Sequence, residues 1–199
     1  MSYVIGKGNS GRRHSDETKG TVCMIRINLG CGHLHIDGFT NIDINPAVEP
    51  DAVCDVSNID SLYPDGCVDE IVAYDVIEHF DRFQYSKVLS HWFKKLKDGG
   101  TLLLRTNDWD RLMYQYLTGK LLKSRILVDF DKLVWHFMCE HEKPGMGHKW
   151  GFNKESIVSA LAAAGFSGQT FIPEARLTVG DYPHSVGPDF NNFVVLAVK

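Results

Sequence analysis

The chain has no apolar run near the roughly 18 residues that a membrane-crossing helix requires. Its first residues also lack the apolar stretch of a signal peptide. It therefore reads as a cytoplasmic protein with no membrane insertion. Five cysteines (23, 31, 54, 67 and 139) form no CxxC pair, and an odd number cannot all pair with one another. Cys23, Cys31, Cys54 and Cys67 fall in or beside apolar runs, where a thiol behaves as a small hydrophobe, and this fits a reducing compartment. Positive charge is not in excess either: 21 Lys and Arg against 25 Asp and Glu leave a net charge of −4. Arg12, Arg13 and His14 are the only basic cluster, so a surface built to grip phosphate backbones is not expected. What remains is ordinary for a globular chain of 199 residues with 44% hydrophobic content, enough for one sizeable α/β domain.

The first 20 residues, polar and glycine-rich, read as a flexible tail, with a single domain over 21–199. From Met24 the order is "MIRINL", "FTNIDI" and "DAVCDV" (51–56), three short strands. "VDEIVAYD" (68–75) suits a strand buried on both faces. Tyr85, Val88, Leu89, Trp92, Phe93 and Leu96 then recur at helical spacing, with Lys87, Lys94 and Lys95 expected to face water. Gly99 and Gly100 are expected to end that helix before the strand "TLLLRT" (101–106). Residues 107–150 are long, aromatic and only partly helical, and read as a lid. Asn153 is a plausible N-cap for "KESIVSALAAAG", with Gly165 as its stop. "GQTFIP" and "NNFVVLAVK" close the chain as two strands, expected to be antiparallel. Alternating strands and helices imply an open parallel sheet.

In such sheets ligands sit beyond the carboxyl ends of the strands. Asn28-Leu29-Gly30-Cys31-Gly32 lies at one such end, where two glycines allow a tight turn with no Cβ facing a ligand. A dinucleotide fingerprint needs a third glycine and an acid about 20 residues on. Here His35 stands in the third position and Asp43 comes too early, so a pyrophosphate site is not expected. Asp43 ends the second strand, where a carboxylate can accept both hydroxyls of a ribose. Asp55, at the end of the third, could take an adenine amino group. Each acid could equally be a solvated turn residue; three successive strand ends carrying ligand-type residues favour a nucleoside site.

The order of these segments, continued through "VDEIVAYDVIEHF", "LKDGGTLLLRTND" and "HKWGFNKESIVSALAAAGF", resembles class I methyltransferases that use S-adenosylmethionine (SAM). It is most similar to small members with a shortened first crossover, often associated with bacterial surface-polysaccharide genes. The resemblance implies a Rossmann-like α/β fold: a seven-stranded, mostly parallel sheet whose last strand is antiparallel. It also implies a SAM site in which Asn28, Gly30, Cys31 and Gly32 face the amino-acid end. Asp43 with Ile44 would serve the ribose side, Asp55 with Val56 the adenine, and Tyr74 and Asp75 the methionine portion. Asn28 departs from the acid that many relatives carry there.

Methyl transfer from a sulfonium depends mostly on proximity, and a base is needed only for an acceptor of high pKa. "YDVIEHF" offers Asp75, Glu78 and His79, and His79 is the first choice of base because it is tunable near neutral pH; Glu78 and His79 could instead only brace the chain after the strand. Asp75, Glu78 and His79 also match the spacing of a metal-binding motif in some quinone-pathway methyltransferases, but the pattern occurs in relatives without metal, and no metal is assigned. His136, Cys139, His141 and His148 lack the compact spacing of a zinc site. His148 is taken as a second catalytic candidate and Trp150 as a stacking surface for the acceptor. The expected activity is SAM-dependent O- or N-methylation of a small-molecule or glycan acceptor. A non-catalytic SAM- or nucleoside-binding module is the rival. A nucleic-acid substrate is disfavoured by the acidic balance and by the lack of an Asn-Pro-Pro-Tyr-type motif. The oligomeric state is not readable.

Overall fold

A computed structural model of the chain describes residues 24–118, 130–131, 134, 147–172 and 192–199. The expected tail at 1–20, the His136, Cys139 and His141 group and most of the aromatic insert lie outside the described residues. Seven strands form one sheet in the order β3-β2-β1-β4-β5-β7-β6. They are β1 (Arg26–Leu29), β2 (Thr40–Asp43), β3 (Ala52–Val53), β4 (Val68–Tyr74), β5 (Leu96–Asn107), β6 (Ser167–Phe171) and β7 (Asn192–Val198). The β1 to β5 neighbours are parallel, and β7 runs antiparallel between β5 and β6. This is the Rossmann-like sheet expected from the sequence, with its reversed last strand.

Strand alternation sorts the side chains onto two faces. One face carries Ile27, Leu29, Ile71, Ala73, Leu102, Leu104 and Val195, covered by α1 (Tyr85–Lys95) and α3 (Lys154–Ala164), while α2 (Trp109–Thr118) follows β5. Trp92 of α1 is fully buried there, and its indole N–H donates to the carbonyl of Val56 at 2.8 Å. Asn153 caps α3 as expected: its side chain accepts from the Ser156 N–H at 2.8 Å, and the Ser156 hydroxyl accepts from the Asn153 N–H at 3.0 Å. Gly165 ends α3 at φ 109, with the Phe93 ring so close that a Cβ would fall 2.9 Å from it.

On the opposite face Val72, Tyr74, Leu103 and Val194 meet Leu34, Ile36 and Phe39, which come from the β1–β2 connection. A parallel pair normally needs a crossover of a dozen or more residues, yet residues 30–39 join β1 to β2 without a helix. A buried polar network holds this connection in place. The Asn28 amide donates to the Leu34 carbonyl at 2.7 Å and to Asn41 Oδ1 at 3.0 Å. Asn41 Oδ1 also accepts from the Ile36 N–H at 2.8 Å, while the Asn41 backbone and amide both donate to Asp51 Oδ2. Those donors hold the Asp51 pKa below its ordinary value.

Three local expectations are corrected. Lys95 is buried, not solvated: its ammonium is paired with Asp60 and with Asp65 at 2.7 Å, which ties the end of α1 to the β3–β4 connection. Gly99 and Gly100 do not cap α1, which stops at Lys95, and β5 begins at once with Leu96. The third strand is only Ala52–Val53, so Asp55 lies just past its end.

If the Asn28 amide substitutes for the missing helix, Asn28→Asp should lose both donors and set oxygen against oxygen. The expected cost is about 2 kcal/mol of unfolding free energy, because the Leu34 carbonyl loses its donor while Asn41 Oδ1 keeps only the Ile36 N–H. Chemical denaturation at neutral pH with an unchanged midpoint would show that something else holds the connection.

Candidate functional site

The strand order reverses between β1 and β4, and the crevice at such a reversal is where open α/β sheets bind ligands. Gly30 and Gly32 sit there at φ 64 and 49, in left-handed conformations that favour glycine. A Cβ on Gly30 would collide with Val76 at 2.5 Å, whereas nothing lies within 4 Å of a Cβ built on Gly32. Thus the turn is packed against the chain after β4 on one side and open on the other. Asp43 locks it to β2: its Oδ2 accepts from the Gly32 N–H and its Oδ1 from the Asn45 N–H, each at 2.8 Å. Each carboxylate oxygen keeps a second lone pair for a ligand hydroxyl. Cys31, buried between the glycines, has its thiol pushed up to about 11 by burial and by Asp43 and Asp51, so it is a packing residue rather than a nucleophile.

The other expected residues divide in the same way. Ile44 is 63% exposed beside Asp43. Asp55 is exposed, with its Oδ1 accepting from the Ser57 N–H at 2.8 Å. The Val56 side chain is in the core and its carbonyl is taken by Trp92. A groove of about 800 Å³ runs from Asp55 past Phe80 along α1 to Lys149. Asn28 faces away from the open side of the turn: both of its amide hydrogens are used by the loop.

β4 delivers the second group. Asp75, immediately after it, has φ 55, unusual for a residue with a side chain. The Arg105 guanidinium pairs with its carboxylate, Nε to Oδ1 at 3.0 Å and Nη2 to Oδ2. Tyr74 is buried with that guanidinium 5.1 Å from its ring centre, and burial raises its pKa to about 12. A short 3-10 turn, Ile77–His79, follows. Its Glu78 carbonyl accepts from the N–H groups of Lys149 (2.8 Å) and Trp150 (3.1 Å). His79 Nδ1 lies 3.2 Å from the Gly147 carbonyl, and its ring meets that of His148 edge-on at 5.1 Å. Segment 147–150 is thereby fastened across the carboxyl end of β4. Trp150 stacks on Tyr85 at 6.0 Å, so its ring already has one partner within the chain.

Burial and His148 lower the His79 pKa, against the opposing pull of the Gly147 and Asp75 carbonyls. A carbonyl can only accept, so the neutral ring carries its proton on Nδ1 and keeps a lone pair on Nε2. Sequence reasoning offered Glu78 beside Asp75 and His79 but gave it no assigned role. Its side chain is fully buried, and neither oxygen has a hydrogen-bond partner among the described residues. The nearby Thr106 hydroxyl favours the ionised form but, falling short of hydrogen-bond geometry, is itself unpartnered. Burial, reinforced by Asp75, raises the Glu78 pKa to about 8. Asp108, at the end of β5, is also shifted upward by burial. Arg105 was missed as well, although a charge inside the apolar run "TLLLRT" is a readable signal of a buried partner.

A glycine turn tied to an acid at the next strand end lies beside acids and histidines after β4, on a sheet with the strand order of class I methyltransferases. Residues 30–170 match the family model for a methyltransferase domain, and the chain belongs to that family: it is a methyltransferase. None of the curated proteins compared matches it by sequence. Among solved structures it is similar to a SAM-dependent methyltransferase from Archaeoglobus fulgidus, with TM-score 0.57 and 15% identity over 89% of this chain and 87% of that one. A SAM-dependent methyltransferase from Methanosarcina mazei gives TM-score 0.54 and 19% identity over 87% and 91%. The methyltransferase CalH in complex with SAH gives 0.54 and 13%, over 88% of this chain and 51% of that one.

Glu78 makes a pH dependence. Folded, it keeps its proton up to about pH 8, whereas an unfolded carboxyl releases it near 4.5. Between those values the folded state binds more protons, so this group's stability contribution is present at acid pH and lost as pH rises through the folded pKa. Glu78→Gln should therefore flatten the decline in melting temperature between about pH 5 and pH 8. An undiminished slope in the variant would trace the decline to another group.

Proposed function

We propose that the chain transfers the methyl group of S-adenosylmethionine to an oxygen or nitrogen of a small-molecule or glycan acceptor. The observation that carries this reading is the turn at 30–32, open over Gly32 and bonded to Asp43, within the same crevice as Asp75 and His79. SAM fits this donor set: its ribose diol suits a carboxylate with free lone pairs, and its close approach suits a turn without side chains. When bound, SAM supplies a methyl group on an electrophilic sulfonium.

The chain's own residues do the rest. The Gly30-Cys31-Gly32 turn receives the amino-acid end, Asp43 the ribose hydroxyls, and exposed Ile44 and Asp55 border the adenine. Val56 fixes the Asp55 loop to Trp92 rather than touching the ligand. Tyr74 and Asp75 wall the methionine portion. His79, neutral near pH 7 and with Nε2 free of its proton, takes a proton from the acceptor as it is methylated, and His148 lines the same pocket from the 147–150 segment. The charge balance of −4 supports a small or glycan acceptor over a nucleic acid.

Two measurements test this. Asp43→Ala should weaken binding of SAM and S-adenosylhomocysteine (SAH) by about 1.5–3 kcal/mol, through loss of two charge-assisted hydrogen bonds. Calorimetry with the melting temperature followed alongside separates this from loosening of the turn, and wild-type affinity would take Asp43 out of the site. His79→Ala should leave SAH affinity nearly unchanged while lowering turnover by about 10²–10⁴-fold. Full turnover in a stable His79→Ala protein would rule out the base. A joint fall in stability and SAH affinity would make His79 a brace.

A further inference from the structure

Arg105 lies in the middle of the sheet, on a strand whose neighbours are leucines, and is 1% exposed. Taking a guanidinium out of water carries a large desolvation penalty, which only a well-formed ion pair offsets. Its partner is not buried with it: the Asp75 side chain keeps 41% of its surface exposed. The pair is therefore asymmetric, with the cation sealed beneath the sheet end and the anion facing the crevice. Among the described residues, the guanidinium reaches a ligand there through the carboxylate it holds.

The hold is unusually complete. Nε and Nη2 engage the two Asp75 oxygens, and the Asp75 N–H donates to the Arg105 carbonyl at 3.0 Å. Side chain and backbone are thus tethered to one residue, across the turn where Asp75 adopts φ 55. Arg105 also discriminates between two acids three positions apart, since it grips Asp75 while the Glu78 carboxyl has no hydrogen-bond partner. The Tyr74 ring lies against the guanidinium at 5.1 Å. A lysine could not reproduce this, because an ammonium lacks the planar fork.

We propose that Arg105 is a positioning residue of the methyltransferase site, holding the Asp75 carboxylate in place as a fixed negative charge for the α-ammonium at the methionine end of SAM, a group that SAH shares. This rests on the reading of Asp75 as a cofactor-facing residue. An anion fixed before binding needs no ordering when the ligand arrives, so the benefit appears as affinity.

The test compares SAH binding by calorimetry, with melting temperatures, in the wild type and in Arg105→Met, Arg105→Lys, Asp75→Asn and the Arg105→Met/Asp75→Asn double variant. Asparagine tolerates the left-handed backbone, so Asp75→Asn removes the charge with little change of shape. Arg105→Met is expected to weaken SAH about tenfold or more, and Arg105→Lys less. The double variant should bind no worse than Asp75→Asn alone, because the carboxylate through which Arg105 acts is already gone. Losses that multiply in the double variant would mean that Arg105 acts by another route, and would overturn the proposal. So would wild-type SAH affinity in a folded Arg105→Met protein while Asp75→Asn is weakened. Should Arg105→Met not fold, Arg105→Lys decides: undiminished affinity counts against the proposal, and a loss absent from an Asp75→Asn background supports it. If Asp75→Asn binds SAH as the wild type does, the reading of Asp75 itself fails, a result distinct from failure of Arg105 alone.

Discussion

Most of the site depends on keeping β1 and β2 side by side with only residues 30–39 between them. In a longer crossover the helix both spans the gap and covers the sheet. Here those duties separate. Leu34, Ile36 and Phe39 supply apolar cover, and the Asn28–Asn41–Asp51 chain of hydrogen bonds supplies the fixed path. Asn28 suits that task because it carries two amide hydrogens facing two carbonyl-type acceptors. An acid at that position has no donor to give when ionised. The departure from the acid that many relatives carry is thus coupled to the missing helix: residue 28 turns toward the loop, and Asp43 is the acid left at the turn.

The consequence is a site whose charges are arranged by strand ends rather than by a helix. Asp43 binds the turn to β2, and Asp75 is bound to β5 by Arg105. Glu78 is buried beside Asp75 and the Thr106 hydroxyl with no ion pair among the described residues, and burial raises its pKa to about 8. The same 3-10 turn presents His79, and its Glu78 carbonyl fastens segment 147–150. The groups proposed for binding and proton transfer therefore stand at strand ends, with segment 147–150 attached beside them through a few backbone hydrogen bonds.

Much of the fold was legible because it follows from local rules. Asn153 and Gly165 mark both ends of α3, and the apolar face of α1 reads directly from Val88, Leu89 and Trp92. The strands came out in the right order because their apolar cores are short and separated by turn residues. What failed needed three-dimensional partners. Lys95 looked solvated because Asp60 and Asp65, which make its burial tolerable, lie 35 and 30 positions away. Gly99 and Gly100 looked like a helix stop because nothing local says that a strand can start directly at Leu96. Asp43, Asp75 and His79 could be named from their positions at or after strand ends, but Arg105 could be recognised as the partner of Asp75 only once β4 and β5 were paired.

Asp75 gives the clearest physical reason to regard the end of β4 as shaped for function. A side-chain-bearing residue in the left-handed region is uphill by on the order of 1 kcal/mol, and an unpartnered buried carboxyl such as Glu78 adds a further penalty. Selection for stability alone would place a glycine at Asp75 and an apolar residue at Glu78. Glycine there would relieve the backbone but strand a buried guanidinium, so Arg105 and Asp75 are retained or lost together. An apolar side chain at 78 would still leave its backbone carbonyl to hold segment 147–150, so the fold itself does not require the acid. The two liabilities lie within three positions of each other, beside His79 and facing the glycine turn. Strain and desolvation concentrated at one strand end, in a sheet otherwise free to relax, are what a preorganised site costs its fold.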